Sequence, residues 1–210
     1  MIKKNWKILL ITSIAILLPI LAGLILWDQL PEQIPLHWNM EGEVDDYSSK
    51  SFAVFGLPLI LLALHWVAFF VTLSDPKNKN YSDKVLHLIF WIIPVMSIVL
   101  SAIMYSVAMG KDVRVEAVIS IFLGLLFLVI GNYLPKCKQS YTIGIKLPWT
   151  LNSEENWNRT HRLAGWLWAI GGFMILVAGF FGVFVLAMAI PLIMALVPIV
   201  YSYILHLKGI

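Results

Sequence analysis

The chain reads as an all-α integral membrane protein, a bundle of six transmembrane helices with an ordered cytoplasmic loop and a short acidic extracellular loop. Three observations predict this. Of its 210 residues 60% are hydrophobic and 13% charged, whereas soluble domains carry about a quarter charged residues. Charge-free windows recur at the roughly 20-residue length that a bilayer core of about 30 Å demands. Lys and Arg fall almost entirely in alternate connections, as expected where cytoplasmic loops hold the basic excess. Soluble globular readings are thereby set aside, and no direct nucleic acid binding is expected.

The spans follow in order. Lys3, Lys4 and Lys7 precede Ile8 to Trp27, 20 residues without a charge. A cleavable signal peptide has an apolar region of only about 7 to 15 residues, so this is an uncleaved first helix. Residues 28–51 are polar, with Asp28, Glu32, Glu41, Glu43, Asp45 and Asp46 against Lys50 alone. Pro31 and Pro35 bar a regular helix there, and Glu41-Gly42-Glu43 reads as a turn. Phe52 to Leu73 is the second span, with Pro58 as a kink and His65 near its middle. Val85 to Met109 is the third, containing Pro94, and Ala117 to Leu134 the fourth. After the polar stretch 131–165, Leu163 to Leu207 runs 45 residues without Asp, Glu, Lys or Arg, twice what one helix requires. It must fold back, and Gly179 to Gly182 is the expected hairpin. The expected organisation is a two-helix unit over 1–84 with the acidic loop 28–51, then a four-helix unit over 85–210 with the loop 131–165.

With six spans, twelve of the 15 Lys and Arg lie on one side, and only Lys50, Lys111 and Arg114 on the other. Both termini and the loop 131–165 are therefore expected in the cytoplasm. The acidic loop, with Lys79 on the opposite face of the bilayer, is expected outside.

Function should concentrate in the polar stretch 131–165. Pro135 stops the fourth helix, Tyr141 to Ile145 alternates like a short extended piece, and helix resumes after Pro148. Asn152 with Glu155 resembles a capping box. Trp157, His161 and Gly165 fall at i, i+4, i+8, which turns one helix face toward the bundle. The plain alternative makes Trp149 and Trp157 interfacial aromatics and the basic residues a collar for anionic headgroups. It accounts poorly for Gly144, Pro148, Trp149, Thr150, Trp157, Thr160, His161 and Arg162 crowding together. Thr160 and His161 are neighbours in sequence, but adjacent helix residues do not face each other. No metalloprotease helix, nucleophile elbow or phosphate-cradling glycine loop occurs, so no catalytic residue and no cofactor is expected. His37 and the nearby carboxylates match no metal-ligand spacing. Cys137 is the only cysteine, which excludes an intrachain disulfide and a paired redox motif. His65 is expected as a neutral imidazole hydrogen-bonded to a neighbouring helix, ionisable groups inside the bilayer being costly.

The sequences GNYLPK at 131–136, IGIKLPWTL at 143–151 and E-x-x-W-x-x-T-H-R-x-x-G over 154–165 resemble the signature of the SdpI family. These are bacterial membrane proteins whose founding member gives immunity to a peptide toxin. LPEQIPLHWNMEGEVDDYSSK at 30–50 is similar to the short domain of unknown function that often precedes that signature. Three positions depart from the pattern: Lys146 for arginine, Leu147 for threonine and Ser140 for asparagine. Lysine keeps the charge of arginine but not its bidentate fork.

The resemblance implies protection from a secreted peptide toxin, and capture of a small transcriptional repressor at the cytoplasmic face. It places functional residues at Asn132, Pro135, Gly144, Lys146, Pro148, Trp149, Thr150, Trp157, Thr160, His161, Arg162 and Gly165 in the signature loop. In the acidic loop it places them at Pro35, His37, Trp38, Gly42 and Lys50. Arg162 is expected to be partly desolvated and held by fixed partners. A small-solute transporter, framed by helices broken at Pro58, Pro94, Pro191 and Pro198, and a structural or regulatory membrane protein without toxin contact are the other readings.

Overall fold

A computed structural model of the chain describes residues 2–39, 42–77 and 81–210; Glu41 and Lys79 lie outside the described residues. Six helices are long and apolar enough to cross a membrane, as the hydropathy pattern predicts. The elements are α1 (Ile2–Ile25), β1 (Gln33–Trp38), β2 (Val44–Ser49), a π-helical turn Phe52–Gly56 leading into α2 (Leu57–Leu73), α3 (Asp83–Ala108), α4 (Val115–Tyr133), a 3-10 turn Leu134–Lys136, α5 (Pro148–Asn152), α6 (Glu154–Phe181) and α7 (Val185–Leu207). They form two compact units. One comprises residues 1–73 and 86–115, the other 74–85 and 116–210.

In the first unit α1, α2 and α3 are joined by polar contacts, because apolar surface gains little from leaving lipid for another apolar helix. Thr12 Oγ1 lies 2.8 Å from His65 Nε2, so the central histidine is hydrogen-bonded to a neighbouring helix as expected. Trp66 Nε1 donates to Ser13 Oγ at 3.0 Å, Ser97 Oγ to the Ile16 carbonyl at 3.0 Å, and Tyr105 OH to the Pro19 carbonyl at 3.2 Å. The bend expected at Pro58 takes the form of the π-helical turn, in which the Leu57 amide reaches the Phe52 carbonyl. One extra residue in the turn accommodates a proline that cannot donate.

The acidic loop is more regular than expected. β1 and β2 pair as an antiparallel hairpin with irregular register around His37. The prolines that forbid helix leave the extended conformation open, and Ile34 and Pro35 point inward. Ile34 joins Leu30, Ala53, Val54, Met104 and Tyr105 in a buried cluster, with Trp38 partly buried against it.

The second unit is organised by close helix approach. A Cβ on Gly131 would lie 2.9 Å from the Gly165 carbonyl, and one on Gly124 would lie 2.7 Å from the Gly172 carbonyl. Glycines seven apart on α4 meet glycines seven apart on α6, so these antiparallel helices touch backbone to backbone. Gly179 continues the row against Ser120 of α4. It therefore sits inside α6 rather than in the hairpin turn, which Gly182 makes instead. Gly182, at φ 72°, closes α6 with the Val183 amide on the Ala178 carbonyl and its own amide on the Gly179 carbonyl, the pairing of a Schellman cap. In α7, Pro198 has no amide to offer the Met194 carbonyl four residues back. Trp168 Nε1 of α6 supplies that bond at 3.0 Å.

Candidate functional site

Between Leu134 and Ser153 the chain has no strand and only one short helix, so its amides need other acceptors. Side chains provide them. Asp75, buried at the end of α2, receives the amides of Tyr141 at 2.8 Å and Thr142 at 2.9 Å on Oδ2, together with the hydroxyls of Thr142 and Tyr81. Its other oxygen accepts the Lys77 amide at 2.7 Å. Ser140 Oγ accepts the Ile143 amide at 3.1 Å and donates to the Ile143 carbonyl at 2.7 Å. Thr150 Oγ1 accepts the Leu147 amide at 2.9 Å and donates to the Ile145 carbonyl at 2.8 Å. Gln139 Nε2 reaches the carbonyls of Thr150 and Leu151 at 2.9 and 2.8 Å. The extended piece expected at 141–145 is a series of bends instead, because Asp75 draws two successive amides to one oxygen.

α6 supplies the floor. Trp157, His161 and Gly165 are all buried, as their spacing predicts, so Trp157 is no interfacial aromatic. Its Nε1 donates to the Cys137 carbonyl at 2.8 Å, and its ring stacks on His161 with centroids 4.0 Å apart. His161 Nε2 lies 2.9 Å from the Ile145 amide and Nδ1 lies 2.8 Å from the Trp157 carbonyl. An amide must donate and a carbonyl must accept, so the ring is neutral with its proton on Nδ1. Both nitrogens are committed to backbone, which leaves His161 no capacity as a general base. Gly144 crosses above this pair at φ 114°. A Cβ there would lie 2.5 Å from His161 Nε2 and 2.8 Å from the Trp157 ring, so only glycine fits. Gly165 is equally enclosed, a Cβ meeting the Pro135 ring at 2.4 Å.

The remaining predicted residues divide between frame and surface. Pro148 opens α5, and Trp149 Nε1 donates to Ser202 Oγ of α7 at 2.9 Å while its ring stacks on His206. Thr160 Oγ1 donates to Asn156 Oδ1 at 3.1 Å, and Asn156 Nδ2 donates to the Ser202 carbonyl at 3.0 Å. The cap of α6 is Ser153, whose hydroxyl accepts the Asn156 amide; Asn152 ends α5 instead, because a residue inside a helical turn cannot cap the next one. Asn132 is exposed and accepts from Lys136 Nζ at 3.3 Å, and Lys146 is exposed over the Thr142 carbonyl at 3.3 Å. Arg162 is corrected most. It is exposed and has no hydrogen-bond or ion-pair partner among the described residues, since the buried face of α6 runs through His161 and Gly165 and leaves position 162 outside it.

Asp75 and Tyr81, which hold this loop, both have shifted pKa values. Burial alone would push the Asp75 carboxyl up, but the bonds from Tyr81, the Lys77 amide, Thr142 and the Tyr141 amide outweigh it and hold the carboxyl below its ordinary value. Tyr81 is pushed up to about 12 by burial and by the Asp75 carboxylate that accepts its proton. Sequence reasoning missed Asp75, Tyr81, Gln139 and Asn156. Only Asp75 offered a signal, as a carboxylate beside Pro76 in a connection that also carries Lys77, Lys79 and Lys84.

In the hairpin, the predicted residues are held differently. Lys50 is buried, with Nζ 3.2 Å from the Trp27 carbonyl, 3.0 Å from Glu32 Oε1 and 5.0 Å above the Trp27 ring. His37 Nδ1 meets Asp45 Oδ1 at 2.6 Å on the surface. Pro35 is buried, and the Gly42 amide donates to the Asn39 carbonyl at the tip. Among the described residues no three His, Cys, Asp or Glu side chains come together to hold a metal.

Residues 136–202 match the SdpI/YfhL protein family, and residues 14–62 match a domain of unknown function, DUF1648. The chain is similar to a protein of Bacillus subtilis (strain 168) named Immunity protein SdpI, at 29% identity over 198 residues, covering 91% of this chain and 89% of that protein. No solved structure matches the chain.

Proposed function

We propose that this chain, a multi-pass bacterial membrane protein of the SdpI/YfhL family, is an immunity protein that protects its host from a secreted peptide toxin. The observation that carries the reading is collinearity. The two matched regions occur in one chain with a relative named Immunity protein SdpI, aligned over 91% of the length. The signature loop supports it as the working part, since its side chains are spent on fixing one backbone shape rather than on building a reaction centre.

In this reading both termini and the signature loop face the cytoplasm, and the acidic hairpin faces out, where its carboxylates favour encounter with a cationic or amphipathic peptide. The exposed basic and aromatic residues of the loop, Lys146 and Tyr141 among them, offer a surface on which a small transcriptional repressor is held. Deleting the gene should sensitise cells to a peptide made by the same or a neighbouring strain, with full resistance restored by the intact gene. Unchanged survival against every such peptide would remove the immunity reading, and altered solute uptake would favour a transporter. Reporter fusions should read inside after Lys79 and outside after Asp112. The opposite result at either position inverts the topology.

A further inference from the structure

We propose that an open groove at the polar end of α6 binds one phospholipid whose headgroup carries both a phosphate and a primary ammonium, the phosphatidylethanolamine class. This goes beyond the immunity reading and does not rest on it. The groove has a volume of about 790 Å³ and is lined by Glu154, Glu155, Arg159, Arg162 and Trp166 of α6 with Tyr201 of α7. That size falls within the roughly 300–1,000 Å³ of small-molecule sites.

Its charges are ordered along the helix. Arg159 is taken up by Glu155, with Nη2 at 2.5 Å from the carboxylate. This leaves one cation, Arg162, and one anion, Glu154, without partners among the described residues. Glu154 is the outermost, on the first turn of α6, and Arg162 is about two turns deeper. The arginine side chain leans back toward the helix N-terminus, which brings its guanidinium toward the carboxylate turn. A bilayer phospholipid presents its charges in the same order, ammonium outermost and phosphate below. Arg162 supplies the fork that suits a phosphate, and Glu154 an acceptor for an ammonium that has N–H to donate.

Beyond the groove the same helix presents an exposed apolar face. Trp166, Ile170 and Phe173 are 69%, 56% and 58% exposed at i, i+4, i+7, one helix face. An indole one turn below a guanidinium is placed at the headgroup boundary, where tryptophan concentrates, and the acyl chains would run along Ile170 and Phe173. A headgroup without an ammonium would leave Glu154 facing a phosphate, and a trimethylated one would offer it no hydrogen bond.

The test uses the full chain in detergent, titrated by native mass spectrometry with phosphatidylethanolamine, phosphatidylglycerol and phosphatidylcholine of identical acyl chains. The ethanolamine lipid should be retained about tenfold more strongly than the other two, the factor expected of one charge-assisted hydrogen bond. Arg162→Ala should reduce its retention by at least about that factor. Glu154→Gln should lower it to the phosphatidylcholine level without changing phosphatidylcholine itself. Both residues are exposed, so neither substitution touches packing, and Lys111→Ala should change nothing. Equal retention of the three lipids, preference for phosphatidylglycerol, or retention indifferent to Arg162→Ala would overturn the proposal. So would a dimer that survives lipid removal and is lost in Arg162→Ala, which would make the groove a contact between copies. Toxin survival is not the readout, so failure here leaves the immunity reading standing.

Discussion

The acidic hairpin and the signature loop are both polar connections between apolar spans, yet they obtain their shapes by opposite means. Strand pairing satisfies the hairpin backbone, so Glu43, Asp45 and Asp46 are left exposed with mainly local tasks. In the signature loop, backbone pairing is replaced by Asp75, Ser140, Thr150 and His161, each accepting amides that no strand partner takes. The hairpin can therefore exchange surface residues without losing its form, whereas the buried polar side chains of the signature loop are part of its form. The residues that match the SdpI/YfhL family model begin in the second region, at Lys136.

The comparison would be broken most severely at Asp75. Asp75→Asn leaves one oxygen where the carboxylate accepts from five donors and turns an amide toward some of them. Each buried donor left unsatisfied costs about 1–3 kcal/mol, so a loss of about 3 kcal/mol or more is expected. It should appear as rapid tryptic cleavage after Lys138 and Lys146 and as loss of protection at normal membrane abundance. Unchanged cleavage would show that the loop holds its shape without this anchor.

Gly144→Ala should come next. The strained φ costs about 1–3 kcal/mol, and the added carbon must displace His161 or Trp157. The same proteolysis should report it, with Trp157 fluorescence shifting as its ring leaves the buried stack. A variant as resistant as the parent would mean that the floor of the loop is loose.

pH sharpens the comparison more gently. A carboxyl held below its usual 3.8 contributes stability above pH 3.8 that is lost as the pH falls through its lower folded value. Tyr81, raised from 10.0 to about 12, contributes stability below pH 10 that is lost as the pH climbs through about 12. The loop should thus resist protease between these limits and open outside both, while Asp75→Asn should abolish the acid limb and leave the alkaline one shifted. An acid limb that persists in Asp75→Asn would point to another group.

The smallest effect belongs to the hairpin. Converting Glu43, Asp45 and Asp46 to their amides should change stability by less than about 1 kcal/mol, as exposed charges do. Protection should weaken most at low ionic strength, because such charges act over about 10 Å at 0.1 M salt. Equal weakening at all salt concentrations would indicate a direct contact instead.

Residue order alone determined the six spans, the fold-back near Gly182, the burial of Trp157, His161 and Gly165 on one face, and the bond of His65 to a neighbouring helix. Each follows from a local period or from the cost of polar groups in lipid, which a single stretch of sequence carries. The hairpin was half legible, since prolines exclude helix but do not announce strand pairing, and the inward turn of Pro35 depends on the cluster beneath it. Tertiary structure alone decided that Asp75, some 66 residues before Tyr141, holds the loop, and that Trp168 serves the carbonyl freed by Pro198. It also placed Arg162 outside rather than within. Hydrogen bonds between distant residues leave no periodic trace, because what joins them is the path of the folded chain and not the spacing along it.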